Sequence, residues 1–316
     1  MALLSLRDVS VTIGPVSPID GISFDLDKGE ILGVVGESGS GKSLTAMSVM
    51  GLLSRIGGRV SAGSIRFDGT ELVGLSDGAY RRLRGKRIAL ISQNPMTSLD
   101  PIIRIGAQID QVSRLHLGLS PAAAKERSLD LLAQLRIPEA AVIHGSYPHQ
   151  LSGGMKQRIV IAMALAADPE LLIADEPTTA LDVTIQAQII QILVELVRDK
   201  NLALLLITHD MGVVAQACDR VVALYAGRVA EANRVDDIFA DPQHPYTRAL
   251  IGCIPRQGQA AGSLKGIPGS VPVVLDYPPG CRFHPRCSLA EDLCSSVVPT
   301  LERKTSGQAA CHVART

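Results

Sequence analysis

The sequence predicts an α/β fold built on a parallel-sheet core. Near-continuous Ile/Leu/Val runs of strand length recur at 31–35, 87–92, 171–174 and 202–208. Such runs, lacking apolar–polar alternation, mark parallel strands covered on both faces. Helical patterns separate them, and the first run passes directly into a Gly-rich loop followed by a helical segment.

In chain order, Ser23-Phe-Asp-Leu26 and Ser64-Ile-Arg-Phe67 alternate and read as antiparallel hairpin strands, the second ending at an Asp68-Gly69 turn. They predict a small antiparallel β subdomain beside the core. Ile31–Val35 is the first core strand, Leu44–Leu53 a helix, and Arg87–Ser92 the second strand. Residues 94–167 carry no comparable strand and read as a helical subdomain. Within it Ser120-Pro121 starts a helix, with Pro at the first helical position. Leu171–Ala174 and Leu202–Thr208 are the third and fourth strands, and Asp182 can cap a helix running to about Asp199. Composition changes near 240: nine of the 18 Pro lie beyond it, and four of the six Cys lie beyond 280. We therefore expect one domain over 1–240 and a loop-rich extension over 241–316.

Composition limits the function classes. Hydrophobic residues at 46% and charged residues at 20% exclude a disordered chain. Lys+Arg and Asp+Glu both number 31, so no net basic field exists to hold nucleic acid; at 3% aromatic and no Trp, base-stacking platforms are scarce too. The longest apolar run, Ile159–Ala167, has nine residues, about half of what a membrane span needs. No basic segment precedes an apolar stretch at the N-terminus, so no signal peptide is expected. A reducing compartment follows, in which the six Cys need a role other than disulfides.

Gly36-Glu-Ser-Gly-Ser-Gly-Lys-Ser43 matches G-x-x-x-x-G-K-[ST] between a strand and a helix. Gly36, Gly39 and Gly41 let the backbone fold so that successive N–H groups, including those of Glu37, Ser38 and Ser40, line a phosphate cradle. The helix N-terminus adds about half a positive charge. Lys42 supplies a point charge for β/γ-phosphates, and the Ser43 hydroxyl can ligate Mg²⁺. Leu171-Leu-Ile-Ala-Asp-Glu-Pro177 ends a strand in two acids. Asp175 is placed to hold Mg²⁺, and Glu176 to polarise an attacking water as general base. Read alone, an Asp-Glu pair at a strand end is a solvated turn; beside a phosphate loop it is a catalytic pair.

Leu151-Ser-Gly-Gly-Met-Lys-Gln-Arg158 resembles the signature motif of ABC-type ATPases. The order phosphate loop, Gln93, this motif, the Asp175-Glu176 strand, Ala180-Leu-Asp182 and His209 is similar to that family's order over about residues 3–240. The resemblance implies a P-loop NTPase core of the RecA-like type that hydrolyses ATP with Mg²⁺. It further implies that Ser152, Gly153 and Gly154 face the γ-phosphate held by a second subunit, with Asp182 in the same interface. Ser152 can also be read simply as a helix cap. His209 resembles the switch histidine at the γ-phosphate, and Gln93 the residue linking Mg²⁺ and water to the segment that touches the membrane subunit. Where the family places an aromatic against adenine, this chain has Ile13, so aliphatic contact replaces stacking. The basic run Arg81, Arg82, Arg84, Lys86 and Arg87 reads as a solvated face, with anionic lipid or a membrane subunit as the alternative.

In the extension, Asp241-Pro-Gln-His-Pro-Tyr-Thr-Arg-Ala-Leu250 and Cys281-Arg-Phe-His-Pro-Arg-Cys287 resemble the C-terminal extension of ATP-binding subunits of di/oligopeptide and nickel importers. Cys281, Cys287, Cys294 and Cys311 are spaced C-x5-C-x6-C-x16-C. That spacing lacks the close pairs of structural zinc, whereas iron–sulfur clusters use four Cys at varied spacings. The resemblance implies a [4Fe–4S] cluster, with zinc or free thiols as alternatives. Cys218 and Cys253 read as ordinary apolar packing in helices. The expected protein is thus the ATPase subunit of a peptide importer, peripheral on the cytoplasmic face of the membrane. Its expected partners are a second ATPase subunit (a paralogue), two transmembrane permeases and, indirectly, an extracytoplasmic solute-binding protein. A nickel or other small-solute importer of the same family and a soluble ABC ATPase outside transport are the alternatives.

Overall fold

The structure, a computed structural model, describes residues 2–179, 181–255 and 266–314. The chain opens with β1 (Leu4–Ile13), β2 (Val16–Leu26) and the fully buried β3 (Ile31–Val35). Helix α1 (Lys42–Val49) follows, then β4 (Gly58–Phe67), β5 (Thr70–Glu71), α2 (Asp77–Leu83) and β6 (Ile88–Ile91). Five helices come next: α3 (Pro95–Ser98), α4 (Ile105–Leu117), α5 (Pro121–Gln134), α6 (Ala140–Gly145) and α7 (Gly153–Leu165). Then come β7 (Leu171–Asp175), α8 (Val183–Asp199), β8 (Ala203–Thr208) and α9 (Met211–Ala217). Strands β9 (Arg220–Tyr225) and β10 (Arg228–Arg234) precede α10 (Val235–Ala240) and α11 (Pro245–Gly252). Beyond residue 266 the described chain holds only three short 3-10 turns and the two-residue strands β11 (Glu302–Arg303) and β12 (Gln308–Ala309), matching the loop-rich extension expected.

Contacts divide the chain into two units of interleaved segments, the last division falling within β8. The first unit comprises Met1–Leu26, Ile31–Gly74 and Ile207–Thr316. Its antiparallel sheet has the order β2-β1-β4-β5, so the two alternating segments flank β1 and do not pair with each other. Its second sheet places β3 parallel to β9, with Leu32 opposite Arg220 and Val35 opposite Ala223. Strands β10, β12 and β11 then add antiparallel. Val35, Val214, Val221, Ala223 and Ile238 form the core between that sheet and helices α9 and α10. Cys218 packs against this core, as read from sequence, although it stands at the end of α9 and not within it.

The second unit comprises Asp27–Glu30 and Leu75–Leu206. Strands β6 and β7 run parallel, Ile88 opposite Leu171 and Ile91 opposite Ala174. The stretch between them contains helices only. The Ser120 hydroxyl accepts the Ala123 N–H at 3.3 Å, so α5 starts where the Ser-Pro pair predicts. Ser113 Oγ and Arg127 Nε both donate to the Ala166 carbonyl, at 3.1 and 2.7 Å, and supply donors that the end of α7 lacks. Asp182 occupies the N-cap position of α8, but its side chain makes no capping hydrogen bond. Three residues of the basic run are ion-paired: Arg81 and Arg84 both reach Asp77, at 2.9 and 2.8 Å, and Arg87 pairs with Glu170. No helix among the described residues is long and apolar enough to cross a membrane.

Candidate functional site

In the first unit the phosphate loop joins β3 to α1. Gly36 has φ +154°, and a Cβ there would lie 2.2 Å from the Leu224 carbonyl oxygen; Gly41 has φ +103° at the N-cap of α1, where a Cβ would press on Ile19 at 3.2 Å. Only glycine fits these two places, and the loop is held to one course. Further bonds fix its frame: the Gly227 N–H donates to the Ser40 carbonyl at 3.0 Å, and the Thr45 hydroxyl donates to the Gly41 carbonyl at 3.0 Å. Lys42 is buried, its Nζ donating to the carbonyls of Gly36 and Glu37 at 2.7 and 3.1 Å. Ser40 Oγ is buried without a hydrogen-bond partner, an unsatisfied polar atom inside the loop. Such an atom calls for an external polar group, and a phosphate oxygen suits it. Gly39 is open, with φ +82°, and Ser43 begins the helix beside Lys42.

Ile13 ends β1, opposite Val16 and Gly58. His209 is exposed just past the carboxyl end of β8, and Asp210 beside it caps α9 by accepting the N–H groups of Gly212 and Val213 at 2.7 and 3.3 Å.

In the second unit Asp175 closes β7 half-buried, where strand ends of α/β sheets present ligands. Glu176 follows in the left-handed region at φ +48°, a conformation costing a non-glycine residue about 1–3 kcal/mol. Its Oε2 accepts from Gln93 Nε2 and from Thr179 Oγ1, both at 3.0 Å. Two residues predicted as catalytic thus meet directly, though 83 positions separate them. The signature serine caps α7: Ser152 Oγ accepts the Met155 N–H at 3.3 Å. Ser152 and Gly153 are exposed, available to a second chain. A Cβ on Gly154 would lie 2.8 Å from Ile185 Cγ2, so that glycine also lets α7 and α8 start side by side. Ala180 of the Ala180–Asp182 motif lies outside the described residues.

The extension belongs to the first unit and packs against Tyr225 and Ala230 of its sheet. Tyr225, Tyr246 and Phe283 form an aromatic cluster with centroids 4.7 to 5.4 Å apart, in a chain with only nine Phe and Tyr (4 + 5). Glu231, fully buried, accepts the N–H groups of Gln243 and His244 at 2.9 and 2.8 Å, which shapes the turn leading to Tyr246. Burial pushes the His244 imidazole down to about 4, so it is neutral in the fold. Tyr246 and Arg286, which the sequence marked only as parts of family motifs, both reach the phosphate loop (below).

Cys281, Cys287, Cys294 and Cys311 are neighbours. Burial pushes the Cys281 thiol up to about 11, and the nearby Cys311, Cys294 and Cys287 add to the rise. Cys281 N–H donates to the Cys294 carbonyl at 2.9 Å. Four thiols are the donor type an iron–sulfur cluster takes, yet among the described residues no group of three or more His, Cys, Asp or Glu is arranged around a metal position.

The family model described as ABC transporter matches residues 19–179, and that of the oligopeptide/dipeptide transporter C-terminal region matches residues 230–294. Among curated relatives, the dipeptide transport ATP-binding protein DppD of Haemophilus influenzae is 46% identical, covering 99% of this chain and 96% of its own. The oligopeptide transport ATP-binding protein OppD of Escherichia coli is 47% identical, over 97% and 91%. Among solved structures, the ATP-binding cassette MJ0796 in a dimeric post-hydrolysis state with ADP and Pi is 25% identical at a TM-score of 0.65, covering 73% of this chain and 98% of that one. CbiO1 from Clostridium perfringens, part of the transporter complex cbiONQ, is 25% identical at a TM-score of 0.66, over 76% and 91%. Whole-length similarity, the phosphate loop, the acidic strand end and the capped signature helix agree: the chain is an ATP-binding ATPase subunit belonging to the ABC transporter family, in the branch that carries the oligopeptide/dipeptide transporter C-terminal region.

Proposed function

We propose that the chain is the ATP-hydrolysing subunit of a peptide importer, working at the cytoplasmic face of a membrane with two permease subunits and, indirectly, an extracytoplasmic solute-binding protein. The observation that carries the substrate class is the match of residues 230–294 to the oligopeptide/dipeptide C-terminal region. ATP is the substrate: the loop 36–43 with Lys42 binds its phosphates, Ile13 offers an aliphatic contact to adenine, and His209 senses the γ-phosphate. Ser43, Gln93 and Asp175 are the Mg²⁺ ligands by their motifs, and oxygen donors suit that hard cation. When bound, Mg²⁺ neutralises charge developing on the transferred phosphoryl group. Glu176 takes the proton of the attacking water, oriented by the Gln93 amide. Ser152, Gly153, Gly154 and Asp182 meet the loop of a second ATPase subunit, a paralogue, so that ATP joins the two and hydrolysis releases them.

In the source organism, loss of this chain should abolish growth on a dipeptide supplying a required amino acid. The parent chain should restore it and Lys42→Ala should not. Unchanged dipeptide use together with lost nickel uptake would replace peptide by nickel in this assignment.

The tail thiols extend the proposal: Cys281, Cys287, Cys294 and Cys311 hold a [4Fe–4S] cluster. An anaerobic preparation should contain about four iron atoms per chain with broad visible absorption. Preparations without iron and without that absorption rule the cluster out.

A further inference from the structure

The second residue of the phosphate loop, Glu37, is gripped from two sides by the extension. Arg286 forms a two-point ion pair with its carboxylate, Nη1 to Oε2 at 2.7 Å and Nη2 to Oε1 at 3.0 Å. The Arg286 side chain is 5% exposed and that of Glu37 28%, so the pair is largely withdrawn from solvent. Two-point guanidinium–carboxylate contacts fix direction as well as distance, which a lysine cannot do. Arg286 is itself anchored, donating to the Pro268 carbonyl at 2.7 Å and to the Tyr225 hydroxyl at 3.2 Å. From the other side, the hydroxyl of fully buried Tyr246 accepts the backbone N–H of Glu37 at 2.9 Å. The carbonyl of the same residue accepts from Lys42 Nζ at 3.1 Å. A continuous path of polar contacts therefore runs from the extension through Glu37 to the phosphate-binding lysine.

We propose that Arg286 and Tyr246 are positioning residues for ATP binding, and that the extension, by clamping Glu37, presets the phosphate loop and the place of Lys42. An ordinary loop of this type is shaped by its own glycines and the following helix. Here the first turn is also tied to residues 209 and 249 positions further along the chain. Preset donors avoid an ordering cost on binding, so loosening the clamp is expected to appear as lost nucleotide affinity. The proposal rests on the nucleotide-site assignment above.

The test is a double-mutant cycle on the full-length chain, reading MgATP affinity by calorimetry and thermal stability in parallel. Arg286→Gln and Glu37→Gln should each weaken MgATP binding about tenfold, and the double variant no more than either single one, because each removes the same contact. Tyr246→Phe keeps the aromatic cluster and removes only the acceptor. It should weaken binding about threefold to tenfold with a small change in melting temperature. Affinities of Arg286→Gln and Tyr246→Phe within twofold of the parent, or independent, multiplying losses from Glu37→Gln and Arg286→Gln, would overturn the clamp. If Arg286→Gln does not fold, the Tyr246→Phe result decides alone. A parent chain that does not bind MgATP removes the nucleotide site itself, an outcome distinct from a binding parent with silent variants.

Discussion

Glu176→Gln should bind MgATP about as tightly as the parent and turn it over roughly 10²- to 10⁴-fold more slowly, the range general-base catalysis contributes. The substitution keeps the shape of the side chain and can keep one contact to Gln93 or Thr179, both of which donate to Glu176 at 3.0 Å. What it removes is the ability to accept a proton from water. Rapid-quench measurement of ATP cleavage, beside calorimetric binding, separates the two quantities. Turnover within tenfold of the parent would assign the base to another residue.

Lys42→Ala is expected to act on binding first, weakening MgATP affinity about 10- to 100-fold. That corresponds to charge-assisted hydrogen bonds of about 1.5–3 kcal/mol. The lysine is buried, and its ammonium lies against the carbonyls of Gly36 and Glu37 at 2.7 and 3.1 Å, so the cation is fixed within the loop and does not range over the surface. Alanine removes the charge and leaves those two carbonyls without this donor, while Gly41 still starts α1. Circular dichroism should therefore remain that of the parent as affinity falls. Unchanged affinity would contradict the phosphate-loop assignment. Read together, the two variants divide the chemistry: one keeps ATP without cleaving it, the other fails to hold it.

The local parts of this protein are legible in its sequence because their physics is local. Successive glycines, a strand before and a helix after mark residues 36–43 as a phosphate loop, and a serine before two glycines caps α7 as its spacing predicts. The strands at 31–35 and 171–175 likewise declare themselves through continuous apolar runs. Strand β9 does not: Val221–Ala226 is an apolar run that a buried helix would share, and only its pairing with β3 decides it. Asp182 shows the limit from the other side, since the residue type suits a cap and the side chain makes none.

By itself the sequence determined an α/β ATPase with a phosphate loop, an acidic strand end, a signature helix and a cysteine-bearing extension. It could not determine which distant side chains meet. The Gln93–Glu176 contact spans 83 positions and the Arg286–Glu37 pair 249. Such contacts have no periodicity or spacing to betray them. They exist because sheet register and aromatic packing bring separate segments to one place, and that is settled only when the whole chain has folded.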